Sequence, residues 1–505
     1  MTTQFSYPGV YIEEIESPVR PIAGAETSVT AFVGLASTGP RTPTTVESWA
    51  DFEQRFGGLW AGSDLSYAVY QFFLNGGNKA VVVRVGGSPA YAGVDLGDGV
   101  KLKARTPGTA GNAIRATVQH DPGDAGRYAL LVSGGGTTES YGVSVDPTLE
   151  SLRLDRVLAT SQLVEPDTSV FDKRPAAVED KPFTGGTDVT LSKSDILGSA
   201  TASPRTGLAA LADVDVFNLL VIPNQLPKPS GGADTRDSTW APVVDAAARL
   251  CEQRRAMLLL DPPYGWDTVD NALQGARGGL PVGGVTARNV VVFFPRLLVS
   301  DPLGGPDREA GPSGTVAGVI ARTDTRRGVW KAPAGTDDGG LLGVRSLAFR
   351  LTDQQNGSLN KLGVNCLRTF PVYGNVLWGS RTCRGGDDIG DPWRYVPVRR
   401  VALYIEESLF IGTKWVVFEP NDEPLWSSVR LNVGAFMDRL FRQGAFQGRT
   451  AKDAYFVRCD SGNNPQDAVD RGVVTLDVGF RPLSPAEFVH IRIQQKRDDA
   501  SGQGS

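Results

Sequence analysis

The stretch SVTAFVGLAS (28–37) starts a segment that ends with KAVVVRV (79–85), and both runs have the apolar, β-branched character of buried strands. Between them, TVESWADFEQRFGG (45–58) and SDLSYAVYQFFLNGG (63–77) carry apolar residues spaced by three and four and end at glycine pairs, as helices do. A strand, two helices and a strand within about sixty residues predict an α/β layer.

The same alternation returns farther along the chain. GLAALADVDVFNLLVIP (207–223), AMLLLDPP (256–263) and NVVVFFPRLLV (289–299) contain apolar runs typical of parallel strands that are buried on both faces. APVVDAAARLCEQRR (241–255) predicts a helix among them. Between about residues 96 and 190, short strand-like runs stand among Gly-, Pro- and Asp-rich turns, which indicates a β-rich domain inserted into a discontinuous core.

Helices and short strands mix in the last third of the chain. RRVALYIEESLF (399–410) and EPLWSSVRLNVGAFMDRLFRQG (423–444) predict helices, whereas AYFVRCD (454–460) and GVVTLDVGF (472–480) predict strands. The predicted fold is an α/β core with a mostly parallel sheet, an inserted β-rich domain, an α+β C-terminal domain and extended β-strand arms at both ends. The predicted limits are 1–25 for the N-terminal arm, 26–95 and 191–345 for the core, 96–190 for the insertion, 346–484 for the C-terminal domain, and 485–505 for the C-terminal arm and tail.

A strand-like run stands at each end of the chain, in YPGVYIEEIESPVRPI (7–22) and AEFVHIRIQQK (486–496). A terminal strand can satisfy its backbone N–H and C=O groups only by docking on an existing sheet edge, in its own chain or in another copy. A linker over residues 16–27 would span up to roughly 40 Å at about 3.3 Å per residue. Both docking sites therefore remain open on this argument.

Composition excludes several classes of function. The chain has 505 residues, 41% of them hydrophobic, which is enough for a large core in two to four domains. Its net charge of −5, without a concentrated basic stripe, argues against a nucleic-acid partner. No apolar run is long enough for membrane insertion and no secretion signal is recognisable, so we expect a soluble protein made in the cytoplasm.

Candidate chemistry is sparse. The two histidines, His120 and His490, fall in the predicted insertion and in a predicted terminal strand, which argues against a histidine-based triad or metal site. The cysteines are widely spaced and form no CxxC pair, and no phosphate-binding GxxxxGK[ST] motif occurs. We therefore predict no catalytic residue, no metal and no cofactor.

Two features leave a catalytic alternative open. DPPYGW (261–266) follows an apolar strand, where a catalytic loop of an α/β hydrolase-like enzyme could lie, but without a His or Lys partner it is read as a structural turn. The carboxylate pairs Asp213/Asp215 and Asp337/Asp338 are expected to be solvated or to cap helices.

Seven sequence blocks follow one another along nearly the whole chain. They are YPGVYIEEI (7–15), TPGTAGNAI (106–114), GPSGTVAGVIARTDTRRGVWKAPAG (311–335), VLWGSRT (376–382), WRYVPVRRVALYIEESL (393–409), VFEPNDEPLW (417–426) and PAEFVHIRI (485–493). In this order the blocks resemble the contractile tail sheath proteins of phages and of phage-tail-like injection systems. The resemblance is weakest over residues 96–190.

The resemblance implies a structural subunit that polymerises around a rigid inner tube, contracts from a metastable extended state and contacts baseplate and terminator proteins. It also implies that neighbouring subunits exchange terminal strands, which complete a sheet near residues 455–459 and 473–479. The expected arm contacts are Val10, Tyr11, Ile12, Ile15, Phe488, Val489, Ile491 and Ile493. Candidate tube-facing residues on the 424–443 helix are Arg430, Asp438, Arg439 and Arg442, although a wholly structural helix is the favoured interpretation.

The sequence distinguishes less clearly between kinds of particle than between classes of protein. A single chain that carries both core and C-terminal domain argues, by resemblance, against a two-component sheath. A headless contractile injection system is favoured, and the sheath of a true phage virion is the alternative. Either would assemble in the bacterial cytoplasm, and the particle could then be released.

Overall fold

The computed structural model describes residues 20–223, 236–263, 265–278 and 282–488. In the second of these ranges, side chains are described from residue 240 onward. The described chain opens with the predicted strand, two helices and strand, but Thr44–Val46 forms an additional short strand, so the first helix begins at Trp49 and the prediction of Val46 on its face is wrong. The elements of this segment are β1 (Thr30–Gly34), β2 (Thr44–Val46), α1 (Trp49–Phe56), α2 (Asp64–Leu74) and β3 (Ala80–Arg84). Ser48 and Ser63 cap the two helices, because each hydroxyl accepts a hydrogen bond from a backbone N–H in the first turn.

The next segment is β-rich. It contains β4 (Gly93–Gly97), β5 (Val100–Ala104), β6 (Arg115–His120), β7 (Arg127–Gly134), β8 (Thr137–Ser144), α3 (Leu154–Val157), β9 (Val164–Pro166) and β10 (Val178–Pro182). These strands form two antiparallel sheets, in the orders β10-β6-β7-β8 and β4-β5-β9. The two sheets share one hydrophobic cluster that includes Leu102 and Leu130.

The α/β pattern then resumes. Its elements are α4 (Lys193–Leu197), β11 (Leu219–Val221), α5 (Arg236–Gln253), β12 (Met257–Leu260), α6 (Val269–Arg277), β13 (Val290–Phe294), β14 (Leu297–Val299), β15 (Arg308–Ala310), α7 (Ser313–Arg327), β16 (Val344–Leu347), α8 (Asp353–Asn360), β17 (Asn365–Phe370) and β18 (Gly374–Leu377). The main sheet has the order β18-β17-β13-β12-β11-β1-β3-β2. Its inner pairings are parallel, and only the edge strands β18 and β2 pair antiparallel, so the sheet is mixed.

The run NVVVFFPRLLV (289–299) is not one strand. β13 lies in the main sheet, whereas β14 pairs with β15 and β16 in a separate antiparallel sheet. Pro295 stands between them, and proline has no N–H to continue a strand ladder. β17 and β18 lie after residue 345 and still belong to the main sheet.

The C-terminal part contains both predicted helices and both predicted strands. Its elements are α9 (Val396–Gly412), α10 (Glu423–Arg442), α11 (Ala451–Ala454), β19 (Tyr455–Arg458), α12 (Gln466–Asp470) and β20 (Asp477–Phe480). Short 3-10 helices occupy Thr109–Ala113, Glu150–Leu152, Leu158–Thr160, Gly207–Asp213, Val285–Asn289 and Lys414–Val416. Among the described residues, no helix is both long and apolar enough to cross a membrane.

Candidate assembly site at the two ends of the chain

The segment that enters the fold from the N-terminus is bound to α9 and α10. Ile22 is only 3% exposed and packs in the hydrophobic cluster of these helices. The backbone N–H of Arg20 donates to Asn432 Oδ1 at 2.7 Å, and Arg439 Nη2 donates to the Ile22 carbonyl at 2.7 Å. Residues 16–19 of the predicted linker lie outside the described residues, and from Arg20 onward the chain's own helices bind this segment.

Two further contacts hold the same segment. The Arg20 guanidinium lies over the Trp415 ring, 4.7 Å from its centroid, and the Ala25 N–H donates to Ser408 Oγ at 3.0 Å. The predicted arm contacts Val10, Tyr11, Ile12 and Ile15 lie outside the described residues. Any arm in residues 1–19 thus starts from a fixed point on α10.

β19 and β20 form a two-stranded antiparallel ribbon, with Tyr455 opposite Phe480 and Val457 opposite Val478. These four side chains pack against the α9–α10 cluster, whereas Phe456 is 59% exposed. Within the described part of the chain, no third strand pairs with either member of the ribbon. Its backbone can therefore accept an added strand, as any unprotected sheet edge can.

The chain's last described residues are held by a buried arginine. Glu487 Oε1 and Oε2 accept hydrogen bonds from Arg381 Nε and Nη2 at 2.7 and 2.6 Å. Asn360 Nδ2 and the Tyr395 hydroxyl donate to the same carboxylate at 3.0 and 3.1 Å. Burial opposes ionisation of Glu487, but these donors outweigh it and hold the pKa of Glu487 below its ordinary value.

All three side-chain nitrogen atoms of Arg381 donate hydrogen bonds. Its Nη1 donates to the carbonyls of Asn360 and Gly385 and to Asp387 Oδ1, at 2.8 to 3.0 Å. Its backbone exchanges two hydrogen bonds with Asn365, the first residue of β17. Sequence reasoning missed this pair, although its members lie in the blocks VLWGSRT and PAEFVHIRI, because no local pattern links residues 106 positions apart.

Phe488, directly after the anchored glutamate, is 79% exposed. It borders a groove of about 830 Å³ that Trp330, Lys331, Arg368 and Trp378 help to line. Val489, Ile491 and Ile493, the other predicted contacts of this arm, lie outside the described residues. The predicted C-terminal arm therefore departs from a defined point beside this groove.

The four candidate tube-facing residues of α10 do not share one surface. Arg430 donates to the Cys459 carbonyl and pairs with Glu423 at 2.6 Å, and Arg439 binds the entering chain. Asp438 and Arg442 form a more exposed ion pair at 2.8 Å. Contact with a tube stays a prediction for all four.

The catalytic alternative would place its site at the DPPYGW loop. Asp261, in the DPPYGW loop, is buried and accepts a hydrogen bond from the Ser313 N–H at 2.8 Å, and burial raises its pKa. The cavity beside it holds about 10 Å³, room for one water at most. In the described ranges, no cluster of three or more His, Cys, Asp or Glu side chains could hold a metal.

One carboxylate expectation is wrong. Asp338 is buried and pairs with Lys331 at 3.2 Å and with Arg327 at 3.5 Å. The two basic residues that pair with Asp338 lie at the end of α7 and in the turn after it. The sequence around Asp338 does not indicate this pairing.

Comparison with known proteins gives a consistent result. Residues 388–496 match the family described as the phage tail sheath C-terminal domain. A tail sheath protein of Vibrio phage KVP40 is 23% identical over 402 residues, covering 75% of this chain and 56% of the phage protein. A putative prophage major tail sheath protein of Pseudomonas aeruginosa is 26% identical over 303 residues, covering 59% of this chain and 71% of that protein. The chain thus spans little more than half the length of the Vibrio phage protein.

Solved structures agree. The chain is related to the tail sheath proteins, and the resemblance inferred from its sequence is confirmed. More particularly, it matches a chain from the helical sheath of the anti-feeding prophage in its contracted state, at 25% identity and a TM-score of 0.59, over 98% of this chain and 100% of that one. The sheath complex of an extracellular contractile injection system named PVC has the same fold, at 22% identity and a TM-score of 0.58, over 98% of this chain and 99% of that one.

Proposed function

We propose that this chain is the structural subunit of a contractile sheath and has no enzymatic role. The observation that carries the proposal is the match over nearly the whole chain to a sheath subunit from a contracted helical sheath. The subunits would polymerise around a rigid inner tube and end at baseplate and terminator proteins. Contraction would release free energy stored in an extended lattice that is less stable than the contracted one.

Neighbouring subunits would be linked by exchanged strands. The β19–β20 ribbon supports this step, because it is a two-stranded sheet beside the α9–α10 cluster and the described chain adds no third strand to it. Residues 10–15 of one copy and 488–493 of another would extend the ribbon. Each added backbone hydrogen bond contributes only about 0.5–1.5 kcal/mol, so the sheath would hold by the number of its links.

The domain division is part of the same proposal. Two linking arms would flank a discontinuous α/β core, the β-rich insertion would face outward, and the C-terminal domain would face the tube. We favour a headless injection particle, because the solved relatives include sheaths of the anti-feeding prophage and of PVC. The relative from Vibrio phage KVP40 keeps a phage virion as the alternative.

Truncation tests the linking role. Deletion of residues 1–19 stops before Arg20, the first residue seen to bind α10, and deletion of residues 489–505 stops after the anchored Glu487. Both truncated chains should fold with the thermal stability of the full chain and fail to form tubes in negative-stain microscopy. Deletion of residues 497–505 alone, which spares the predicted strand, is the matched control and should still give tubes. Normal tubes from both longer truncations would refute strand exchange.

The particle type needs a separate observation. Negative-stain microscopy of native particles should show contractile tubes without capsids. Capsids attached to the tubes would decide for the phage virion.

A further inference from the structure

The two ends of the described chain are anchored on different elements of the fold. At the N-terminal end, Arg20 and Ile22 bind α9 and α10, which lie in the C-terminal part. At the C-terminal end, Glu487 binds Arg381, whose backbone is hydrogen-bonded to Asn365 of β17 in the main sheet. Each terminal segment therefore meets the part of the molecule that is farther from it in sequence.

The anchor at Glu487 is separated from the ribbon by an exposed connection. β20 ends at Phe480, and the Arg481 N–H and carbonyl still bond to Ala454 and Gln447. Residues 483–486 are then exposed or half-buried. Glu487 is the next residue whose side chain is bound to another part of the fold, and Phe488 follows it directly.

The geometry of the Arg381–Glu487 pair suits a contact that resists pulling. A bidentate guanidinium–carboxylate pair resists pulling through two parallel charge-assisted hydrogen bonds. Asn365, which clamps the Arg381 backbone on both sides, also donates from Nδ2 to the Val292 carbonyl of β13. Tension applied beyond residue 487 thus passes from one carboxylate to two neighbouring strands of the eight-stranded sheet.

We propose that the Arg381–Glu487 pair is the mechanical anchor of the C-terminal segment, which transfers tension on that segment to the main sheet and spares the two-stranded ribbon. The load itself rests on the linking role proposed above, whereas the anchoring can be measured on an isolated chain. Glu487 and Arg381 act here as positioning residues, since they fix where the segment leaves the fold.

The proposal is tested first by limited proteolysis of the full chain. Chymotrypsin cleavage after Phe488 requires the flanking residues to detach, so the rate of release of residues 489–505, followed by mass spectrometry, reports opening of the anchor. Glu487→Gln should raise this rate by at least about tenfold, as expected for loss of charge-assisted hydrogen bonds. Tyr395→Phe, which removes one donor to the same carboxylate, should give a smaller increase.

Asp353→Asn is the matched control. Asp353 also pairs with a largely buried arginine, Arg368, at 2.8 Å, but its side chain is 96% exposed and holds no terminal segment. Its carboxylate borders the same groove but makes no described hydrogen bond to Glu487 or Phe488, so this variant should release residues 489–505 at the wild-type rate.

A pulling experiment tests the direction of load. One handle is attached at the C-terminus and the other at a cysteine replacing exposed Val285, just before β13. Wild-type chains should resist until the anchor breaks, and Glu487→Gln should release residues 483–487 at lower force.

Equal cleavage rates and equal rupture forces in folded wild-type and Glu487→Gln chains would overturn the anchor. A truncation of residues 489–505 that still assembled would refute the linking role of the C-terminal segment and leave the anchor measurement unaffected, so the two failures are distinguishable.

Discussion

Arg400 of α9 and Asp324 of α7 form a doubly hydrogen-bonded ion pair in the interior, with N–O distances of 2.7 and 2.6 Å and each side chain 4% exposed. Arg400 Nη2 also donates to the Thr27 carbonyl at 2.8 Å. The pair thus ties the entering chain, a core helix and a C-terminal helix together. If the proposed sheath contracts by movement of near-rigid subunits, this junction is one that must hold.

Asp324→Asn should lower the free energy of unfolding by about 3–5 kcal/mol, because it leaves the buried Arg400 charge without its counterion. Urea unfolding monitored by tryptophan fluorescence measures the change. Asp353→Asn removes a carboxylate that is 96% exposed, although its partner Arg368 is largely buried, and should change stability by less than about 1 kcal/mol. Equal losses in the two variants would show that burial of the Arg400 pair does not matter.

Ile22→Ala should cost about 2–5 kcal/mol, the usual range for removing a buried isoleucine side chain. Because Ile22 fixes the entering segment on α9 and α10, amide hydrogen exchange at residues 20–27 should rise more than exchange in the main sheet. Val285→Ala, at an exposed site, serves as control and should change neither. Unchanged exchange at residues 20–27 would mean that the segment is held without Ile22.

The cysteines should not react in the folded protein. Cys251, Cys366, Cys383 and Cys459 are all unpaired and buried. Burial raises the pKa of Cys366 and of Cys383 to about 12 and also raises the pKa of Cys251 and Cys459, so almost no thiolate forms near neutral pH. Labelling with a thiol-specific reagent should require denaturant. A Val285→Cys variant should label at once, and rapid native labelling of the wild type would contradict the burial.

The Arg381–Glu487 contact should depend on pH in one direction. Burial opposes ionisation of Glu487, but Arg381, Asn360 and Tyr395 outweigh it and lower its pKa from the ordinary 4.5. The stabilisation is therefore complete above pH 4.5 and is lost as pH falls through the lower folded-state pKa. Asp387 has a lowered pKa from its bond to Arg381, and it also pairs with Arg394, so it will titrate in the same acidic range.

The difference in melting temperature between wild type and Glu487→Gln measures this dependence. The difference should be constant from pH 7 to about pH 5 and shrink at lower pH. A difference that grew on acidification would contradict the assigned charge state.

Phe456 should matter for assembly more than for folding. Its ring is exposed on the β19–β20 ribbon, so Phe456→Ser should change stability by no more than about 0.5 kcal/mol. If the ribbon receives strands from other copies, the same substitution should weaken tube formation in sedimentation assays. Tyr373→Ser, at the exposed turn between β17 and β18, is the control and should assemble normally. Normal assembly of Phe456→Ser would show that Phe456 is not part of the linking site.

The sequence by itself determined most of the local elements and indicated the resemblance to tail sheath proteins. The three- and four-residue spacing in α1, α2 and α10 and the apolar runs of β1, β3, β12 and β13 were enough to predict them, because periodicity and capping act within a few residues. Ordered sequence blocks indicated the tail sheath relationship, which the comparisons confirm.

Only the tertiary structure decided the contacts between distant segments. It split the run around Pro295 into two sheets, placed β17 and β18 in the main sheet, buried Asp338 beside Lys331, and fixed Ile22 on α10. It also brought Arg381 to Glu487 across 106 positions. Such pairs depend on how whole helices and sheets pack against one another. The residues next to a side chain in the sequence do not indicate which distant residue will pair with it or bury it.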